Sequence, residues 1–160
     1  MIEKQSEVRV EPIRKMVTVH RSVGDAFRIF TEEIAAWWPL ETHSFGEHQS
    51  ETCAIEGRLG GRIFERLADG TEVLWGEAIR WDPPNFVPFT WHPGQGPEAA
   101  QTLEVAFTAI DGDTRVELTH SGWEKLGAKA LETRNGYDSG WDIVFGEGYA
   151  GWTEQEAASR

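Results

Sequence analysis

The sequence predicts an α+β domain in which one antiparallel sheet is flanked by helices at both ends of the chain. Through the middle of the chain, apolar and polar residues alternate in short segments separated by turns such as Asp69-Gly70. Before and after this region, apolar residues recur at the three- and four-residue spacing of a helix. A chain of 160 residues is long enough for one domain with a substantial core.

The first elements are a strand, IRKMVTVHRS, and a helix. Ser22 is placed to cap this helix, and Asp25 stands at the capping-box position three residues later. A break is expected near Thr31. The helix should end at Trp38, because Pro39 disfavours a helical conformation in the residue before it.

The middle of the chain is predicted to form antiparallel strands in the segments ETCAIEG, GRIFERL, EVLWGEAIRW, FVPFTWHP, QTLEVAFTAI and TRVELTH. Pro88 indicates an edge strand or a bulge, because proline has no N–H to donate to a ladder. The segment GRLGGR lacks the Gly-Lys-Ser/Thr ending of a phosphate loop and precedes a strand. It therefore predicts a bend between strands and no anion site.

The last third of the sequence is helical again, with apolar residues such as Tyr137, Trp141 and Phe145 at spacings of four. Five glycines between residues 136 and 151 interrupt the pattern. Each costs up to about 1 kcal/mol relative to alanine in a helix interior. Such a helix needs packing to hold it, and either close approach of another backbone or open space beside it.

Composition limits the function classes. The net charge of −12 argues against nucleic acid as a partner. Cys53 is the only cysteine, so no intrachain disulfide can form, and no apolar run is long enough to cross a membrane. Residues 1–12 are charged, lack the apolar segment of a secretory signal, and are predicted to be a flexible leader. Together these features predict a cytoplasmic protein.

A metal site is not expected. His43, His48 and Cys53 are regularly spaced, but a structural zinc site normally takes four ligands. Cys53 also lies in a predicted strand, where a lone thiol usually acts as a small buried apolar group. His43 and Ser44 are better explained as residues that brace the loop after the tryptophan pair. No cofactor is predicted.

Six segments occur in an order that resembles a known superfamily: WPLETHSFG, GGRIFE, DGTEVLWGEAIRWDPP, FTWHP, TRVELTHSGW and GYDSGW. The chain resembles the SRPBCC or START-like (Bet v allergen-like) superfamily, and within it the homologues of the activator of the heat-shock protein 90 ATPase. The resemblance implies a helix-grip fold, with a curved antiparallel β-sheet wrapped around a long C-terminal α-helix and an internal cavity. It covers residues 13–152 as a single domain, which leaves a C-terminal tail at 153–160. In one departure, Asn85, Phe86 and Val87 follow the double proline, where members usually carry Arg-Leu.

Strand alternation places Glu65, Glu77 and His120 on apolar faces of three predicted strands. If these faces line the cavity, a carboxylate and an imidazole could form an acid–base pair with shifted pKa values. The alternative is that each group has a local hydrogen bond and serves the structure. His92 is expected on the outer face.

The eight tryptophans exceed what a small core requires. Trp37 and Trp38 are adjacent, so one indole could pack into the core while the other covers the cavity entrance or meets the C-terminal helix. Alternatively, both plug the end of the barrel. The predicted ligand-binding residues are aromatic, with one histidine: Trp37, Trp38, Trp75, Trp81, Phe89, Trp91, His120, Tyr137, Trp141 and Phe145.

The leading functional hypothesis is binding of a small hydrophobic or aromatic ligand between the sheet and the C-terminal helix. One alternative is an enzyme of the cyclase, dehydratase or hydrolase kind that uses Glu77 and His120. The other is a co-chaperone-like interaction module, for which the resemblance implies a role in the stress response. The candidate partners are therefore a small ligand, the chaperone, and a second copy of the chain as a homodimer.

Overall fold

The computed structural model describes residues 10–158, with side chains described as far as Gln155. The described residues form seven strands: β1 Ile13–Val19, β2 Ser50–Ile55, β3 Arg62–Leu67, β4 Glu72–Glu77, β5 Phe86–Trp91, β6 Gln101–Ile110 and β7 Asp113–Ser121. The α-helices are α1 Val23–Glu32, α2 Ile34–Trp37, α3 Ala130–Trp141 and α4 Ala150–Ala158. A π-helical segment, Asp142–Tyr149, joins α3 to α4, and short 3-10 turns lie at Glu47–Gln49, Pro97–Ala99 and Trp123–Lys129.

The strands form two antiparallel sheets, with the orders β1-β7-β6-β5 and β2-β3-β4. The sheets meet between β4 and β5. There the backbone N–H of Ile79 donates to the carbonyl of Pro88 at 2.8 Å, and that of His92 donates to the carbonyl of Trp75 at 2.6 Å. The two sheets thus continue into one curved surface around the C-terminal helices, which is the predicted α+β helix-grip fold. Pro88 lies in β5, the last strand of the four-stranded sheet, as predicted for an edge, and it contributes only its carbonyl to the junction with β4.

A bulge in β4 changes which side chains face the core. Ile63 pairs with Gly76 and Phe64 pairs with Leu74, so Trp75 is an extra residue on β4. A bulge of this kind shifts the inward and outward alternation of a strand by one residue. Gly76 is required beside it, because a Cβ there would lie within bonding distance of the Thr90 carbonyl on β5.

The N-terminal helices follow the predicted capping. The side chain of Ser22 accepts a hydrogen bond from the backbone N–H of Asp25 at 3.2 Å. The helix breaks at Glu33, close to the expected position, and α2 follows immediately. Trp38 has an extended conformation with ψ 126°, consistent with Pro39 after it.

The C-terminal helical region runs from Ala130 to Ala158 along the concave side of the sheet. Its glycines serve both purposes expected from the sequence. A Cβ at Gly148 would lie 2.7 Å from the carbonyl oxygen of Trp37, so this position allows close approach of α2. A Cβ at Gly136 would meet no atom within 4 Å, so this position borders open space.

The first and last described segments make contacts with the rest of the domain. Residues 1–9 of the predicted leader lie outside the described residues. Residues 11 and 12 are held by Arg134, which donates to their carbonyl oxygens. The predicted boundary at residue 152 falls inside α4, because Thr153 is fully buried and Glu154 bonds to the His20 side chain at 3.0 Å. Among the described helices, none is both long and apolar enough to cross a bilayer.

Candidate functional site

The adjacent tryptophans at the end of α2 point to different surroundings. Trp37 packs against Phe30 and Tyr149, with ring centroids 5.1 and 5.4 Å away, and donates to the carbonyl of Ile29. Its indole therefore fills the core. Trp38 turns the other way, toward a group of aromatic rings beneath α3.

These rings form one wall of a pocket between the sheet and α3. The ring of Trp38 lies 4.7 Å from Trp75, 6.1 Å from Trp91 and 5.8 Å from Trp141. Tyr137 stacks on Trp141 at 28° and accepts a hydrogen bond from the indole of Trp91 at 3.1 Å. Four indoles and one phenol thus face the same space.

We call this space the aromatic pocket. Its volume is about 610 Å³, within the range of small-molecule sites. The residues that line it come from the loop after α2, from β4 and β5 with the loop after β5, and from α3 with its flanks: Trp38, His43, Ser44, Phe45, Trp75, Trp91, Pro93, Lys129, Glu132, Thr133, Gly136, Tyr137, Gly140, Trp141 and Val144.

His120 lies behind this wall and holds Trp141 in place. The indole N–H of Trp141 donates to Nδ1 of His120 at 3.0 Å. Because an indole nitrogen can only donate, Nδ1 must accept, and the ring proton is on Nε2. Nε2 in turn donates to Oε1 of Gln101 at 3.0 Å, whose amide donates to the Ala99 carbonyl at 2.5 Å. In this series of hydrogen bonds, from Trp141 to the Ala99 carbonyl, each donor is paired with an acceptor.

This arrangement makes His120 a neutral imidazole. Burial lowers the pKa of His120 to about 3, because the charged form has lost its water. The side chain is fully buried and does not line the aromatic pocket. The geometry thus favours the structural interpretation of His120, as a residue that positions a pocket wall.

Glu65 has the same kind of role on the other side of the pocket. Its carboxylate is fully buried and accepts from the indole of Trp75 at 2.6 Å. It also accepts from the backbone N–H groups of Phe45 and Gly46 at 2.8 and 2.9 Å. One carboxylate therefore joins a tryptophan of the pocket wall to the loop that borders the pocket.

The expectation that Glu77 projects into the cavity is wrong. The bulge at Trp75 reverses the alternation, so that Ala78 is buried while Glu77 and Ile79 are exposed. Glu77 and His120 thus lie on opposite sides of the sheet and cannot form the predicted acid–base pair.

Other predicted ligand residues lie outside the aromatic pocket. Phe89 is fully buried in the core and Phe145 stacks on Tyr149, while neither lines the pocket. Trp81 lies against Phe27 of α1, with ring centroids 5.4 Å apart, at a different place on the sheet. His92 does not line the aromatic pocket, and its ring is buried because it turns back to the Gln95 carbonyl at 2.9 Å.

The loop 39–46 contributes residues that were not predicted to line a pocket. His43, Ser44 and Phe45 all border it, and Phe45 is 59% exposed at its rim. Ser44 also braces the loop as expected, since its hydroxyl donates to the Leu40 carbonyl and accepts from the N–H of Glu47. The signal in the sequence was a polar, histidine-containing segment directly after the tryptophan pair.

The described residues contain no group of three or more His, Cys, Asp or Glu side chains that could hold a metal ion. Cys53 is buried, and burial together with the nearby Glu65 raises its pKa to about 12. The thiol is therefore protonated at neutral pH, which makes it a poor nucleophile and a poor metal ligand.

The curved sheet, the C-terminal helices and the pocket between them define a helix-grip protein of the SRPBCC class. The model of the family described as activator of Hsp90 ATPase homolog 1-like protein matches residues 21–146. The chain belongs to this family. Among curated proteins, none matches the chain significantly.

Solved structures include several similar chains. An anthrahydroquino-γ-pyrone synthase, Txn09, complexed with SUM, is 35% identical over 81% of this chain and 88% of its own, with a TM-score of 0.57. The self-sacrificing resistance protein CalC from Micromonospora echinospora is 25% identical over 91% and 95% of the two chains, with a TM-score of 0.63. The Aha1 dimer from Colwellia psychrerythraea shares the fold at 14% identity, with a TM-score of 0.57. The match covers 84% of this chain and 96% of the Aha1 chain.

Proposed function

We propose that this chain binds a planar aromatic small molecule in the aromatic pocket. The observation that carries the proposal is the arrangement of Trp38, Trp75 and Trp91, with Trp141, around one space of about 610 Å³. Flat π-surfaces favour a flat aromatic partner in offset or edge-to-face contact, which contributes about 0.5–1.5 kcal/mol per pair beyond area burial.

The rim supplies polar groups that can orient such a ligand. The side chains of Lys129, Glu132 and Thr133 line the pocket and make no hydrogen bond or ion pair to the described residues. Nδ1 of His43 is 2.7 Å from the hydroxyl of Thr42, which holds the imidazole at the rim. An apolar wall with a few polar groups at its edge is the usual composition of a small-molecule site.

The pocket is also pre-organised. Trp75 and Trp141 donate their indole N–H groups to the buried side chains of Glu65 and His120, and Trp91 donates to the half-buried Tyr137. Their rings are thus held in position before a ligand arrives, which lowers the entropic cost of binding.

The experiment is a titration of the protein with dihydroxyanthraquinone, a planar tricyclic probe, followed by quenching of tryptophan fluorescence. Gly136→Leu should abolish binding, because a side chain there enters the open space of the pocket. Gly146→Leu is the matched control: it also meets no atom within 4 Å, lies on the same helical region and does not line the pocket. Equal binding by both variants would refute the proposal.

Native mass spectrometry of the freshly purified protein would test the proposal without a chosen probe. We expect an extra mass that is lost on denaturation and is absent from Gly136→Leu. If the wild type carries no extra mass and does not bind the probe, the proposal fails and the interaction-module hypothesis becomes the leading one.

A second candidate is that the pocket also converts its ligand, and the similarity to the pyrone synthase favours it. In closure of a γ-pyrone ring, a phenol oxygen bonds to a carbonyl carbon, and the phenol proton passes to a base and then to the carbonyl oxygen. The resulting C–OH bond breaks, the neighbouring CH₂ gives one proton to the departing hydroxide, and one water leaves as the ring C=C bond forms. His43 is the imidazole that lines the aromatic pocket, so it is the residue placed to move the phenol proton.

The test is incubation with ortho-hydroxybenzoylacetone, which becomes methylchromone by loss of one water. If the pocket is catalytic, the wild type accelerates this loss, His43→Gln is slower, and the exposed His48→Gln is unchanged. If the wild type leaves the spontaneous rate unaltered, the protein does not catalyse this closure, and the binding proposal is tested separately by the titration.

A further inference from the structure

Trp81 differs from the other seven tryptophans in its hydrogen bonding. Seven of the eight indole N–H groups donate to an acceptor, such as the Ile29 carbonyl for Trp37 or Glu33 for Trp152. The indole N–H of Trp81 has no partner among the side chains and backbone groups that the structure describes. Trp81 is half-buried, and its N–H is not among the buried polar atoms of the described residues that lack a partner, so this donor is open to solvent and free to bond to an entering molecule.

The ring of Trp81 borders a second pocket, separate from the aromatic pocket. This second pocket lies between α1 and the segment after β4, and its volume is about 600 Å³. Its apolar wall consists of Phe27, Ile55, Trp81, Pro83 and Pro84. Trp81 therefore combines an unused donor with an apolar surface at a cavity.

Two glycines shape the second pocket in different ways. A Cβ at Gly24 on α1 would meet no atom within 4 Å. A Cβ at Gly57 would lie 3.2 Å from the ring of Trp81, so that glycine lets the loop after β2 pack directly on the indole. The ring of Trp81 is thus fixed between Gly57 and Phe27, with its position independent of any ligand.

The charges around the second pocket select against an anion. Arg28 lines the pocket, but its guanidinium is paired with Glu33 at 2.7 Å and with Asp25 at 3.8 Å. Glu32 lines the same space. Arg21 also pairs with Asp25, at 3.4 Å, so three carboxylates stand against two guanidiniums. The surroundings are therefore net negative, and an acceptor that enters is favoured when it is neutral.

We infer that the second pocket is a separate binding site for a neutral, planar apolar molecule that carries a carbonyl group, with the carbonyl oxygen accepting the indole N–H of Trp81. The carbonyl oxygen of the ligand accepts a hydrogen bond from the indole N–H of Trp81, the one indole that has no partner within the described fold. The apolar body of the ligand covers Phe27 and the two prolines. This site does not depend on the function proposed for the aromatic pocket.

The test uses tetralone and tetralin, two bicyclic probes that differ in one carbonyl group. Protein labelled with ¹⁵N is titrated with each probe while the indole N–H resonances are recorded, and Trp81→Phe assigns the resonance of Trp81 by its loss. We expect tetralone to shift this resonance to saturation and tetralin to shift it far less. Trp81→Phe should weaken tetralone binding at this site about fivefold, as expected for one hydrogen bond.

Two glycine variants assign the effect to a pocket. Gly24→Leu should abolish the shift of the Trp81 resonance, because its side chain occupies the second pocket. Gly136→Leu, which fills the aromatic pocket, should leave that shift unchanged. The inference is overturned if tetralone leaves the Trp81 resonance unmoved, if both probes move it equally, or if the shift persists in Gly24→Leu. Shifts confined to tryptophans of the aromatic pocket would overturn it while supporting the first site.

Discussion

The indole of Trp141 donates to Nδ1 of His120 over 3.0 Å, and this bond determines the state of both residues. It places the ring proton of His120 on Nε2, where Gln101 accepts it. It also fixes the plane of Trp141, against which Tyr137 stacks. A histidine that could be taken for a catalytic base is thus part of the support of a binding surface.

His120 should make the stability of the protein depend on pH. Its pKa is about 3 in the folded protein and about 6.5 when unfolded, so the unfolded state binds the extra proton first. The free energy of unfolding should therefore fall as pH decreases from about 6.5 to 3, by up to about 1.4 kcal/mol per pH unit from this group. Above pH 6.5 the contribution is fully present.

The measurement is urea unfolding of the wild type and His120→Asn across this pH range. The variant should be less stable at pH 7 by about 2–3 kcal/mol, since it loses ring contacts and a hydrogen bond, and its dependence on pH should be shallower. His48→Asn, at an exposed position, should retain the wild-type dependence. Parallel pH profiles of wild type and His120→Asn would contradict a neutral buried imidazole.

Glu65 and Glu77 should respond very differently to the same substitution. Glu65→Gln places an amide N–H₂ among three N–H donors and loses charge-assisted bonds, which should destabilise the fold by about 1–3 kcal/mol. Glu77→Gln, on the exposed side of the neighbouring strand, should change stability by less than about 0.5 kcal/mol. Thermal unfolding of the two variants measures the difference, and equal effects would argue against the bulged register of β4.

Two glycines of the π-helical segment provide a matched pair. Gly146→Ala adds a methyl group where no atom lies within 4 Å, so it should stabilise the protein by about 0.4–1 kcal/mol through helix propensity. Gly148→Ala brings a Cβ to 2.7 Å from the Trp37 carbonyl, so it should destabilise by about 1–3 kcal/mol. Relative to the wild type, the denaturant midpoint should rise in Gly146→Ala and fall in Gly148→Ala. A rise in Gly148→Ala would mean that α2 does not pack closely here.

Trp38 should contribute more to ligand binding than a tryptophan outside the aromatic pocket. Trp38→Phe shortens a ring that faces three other indoles of the pocket and should weaken dihydroxyanthraquinone binding about tenfold. Trp152→Phe, on α4 and bonded to Glu33, is the control and should bind normally. Calorimetric titration gives both affinities. If Trp38→Phe binds as tightly as Trp152→Phe, the ring of Trp38 is not a ligand contact.

Much of the candidate site could be anticipated from local patterns. Trp75, Trp91, Tyr137 and Trp141 lie together as the aromatic spacing and the family resemblance implied. The pairing of His120 with Trp141 could not be anticipated, since the two residues come from β7 and α3 and meet only in the folded chain. The same holds for Glu65 and the loop residue Phe45, which are 20 positions apart.

By itself the sequence determined what depends on neighbouring residues: the strand periodicity, the Ser22 cap, the end of α2 before Pro39, and an edge strand at Pro88. Only the tertiary structure decided that Glu77 faces solvent, because the bulge at Trp75 depends on the approach of Gly76 to Thr90 on another strand. It also decided that Trp37 fills the core while Trp38 faces the pocket. Alternation within a strand is a local property of the backbone, whereas a bulge and a side chain's partners are set by contacts between distant segments.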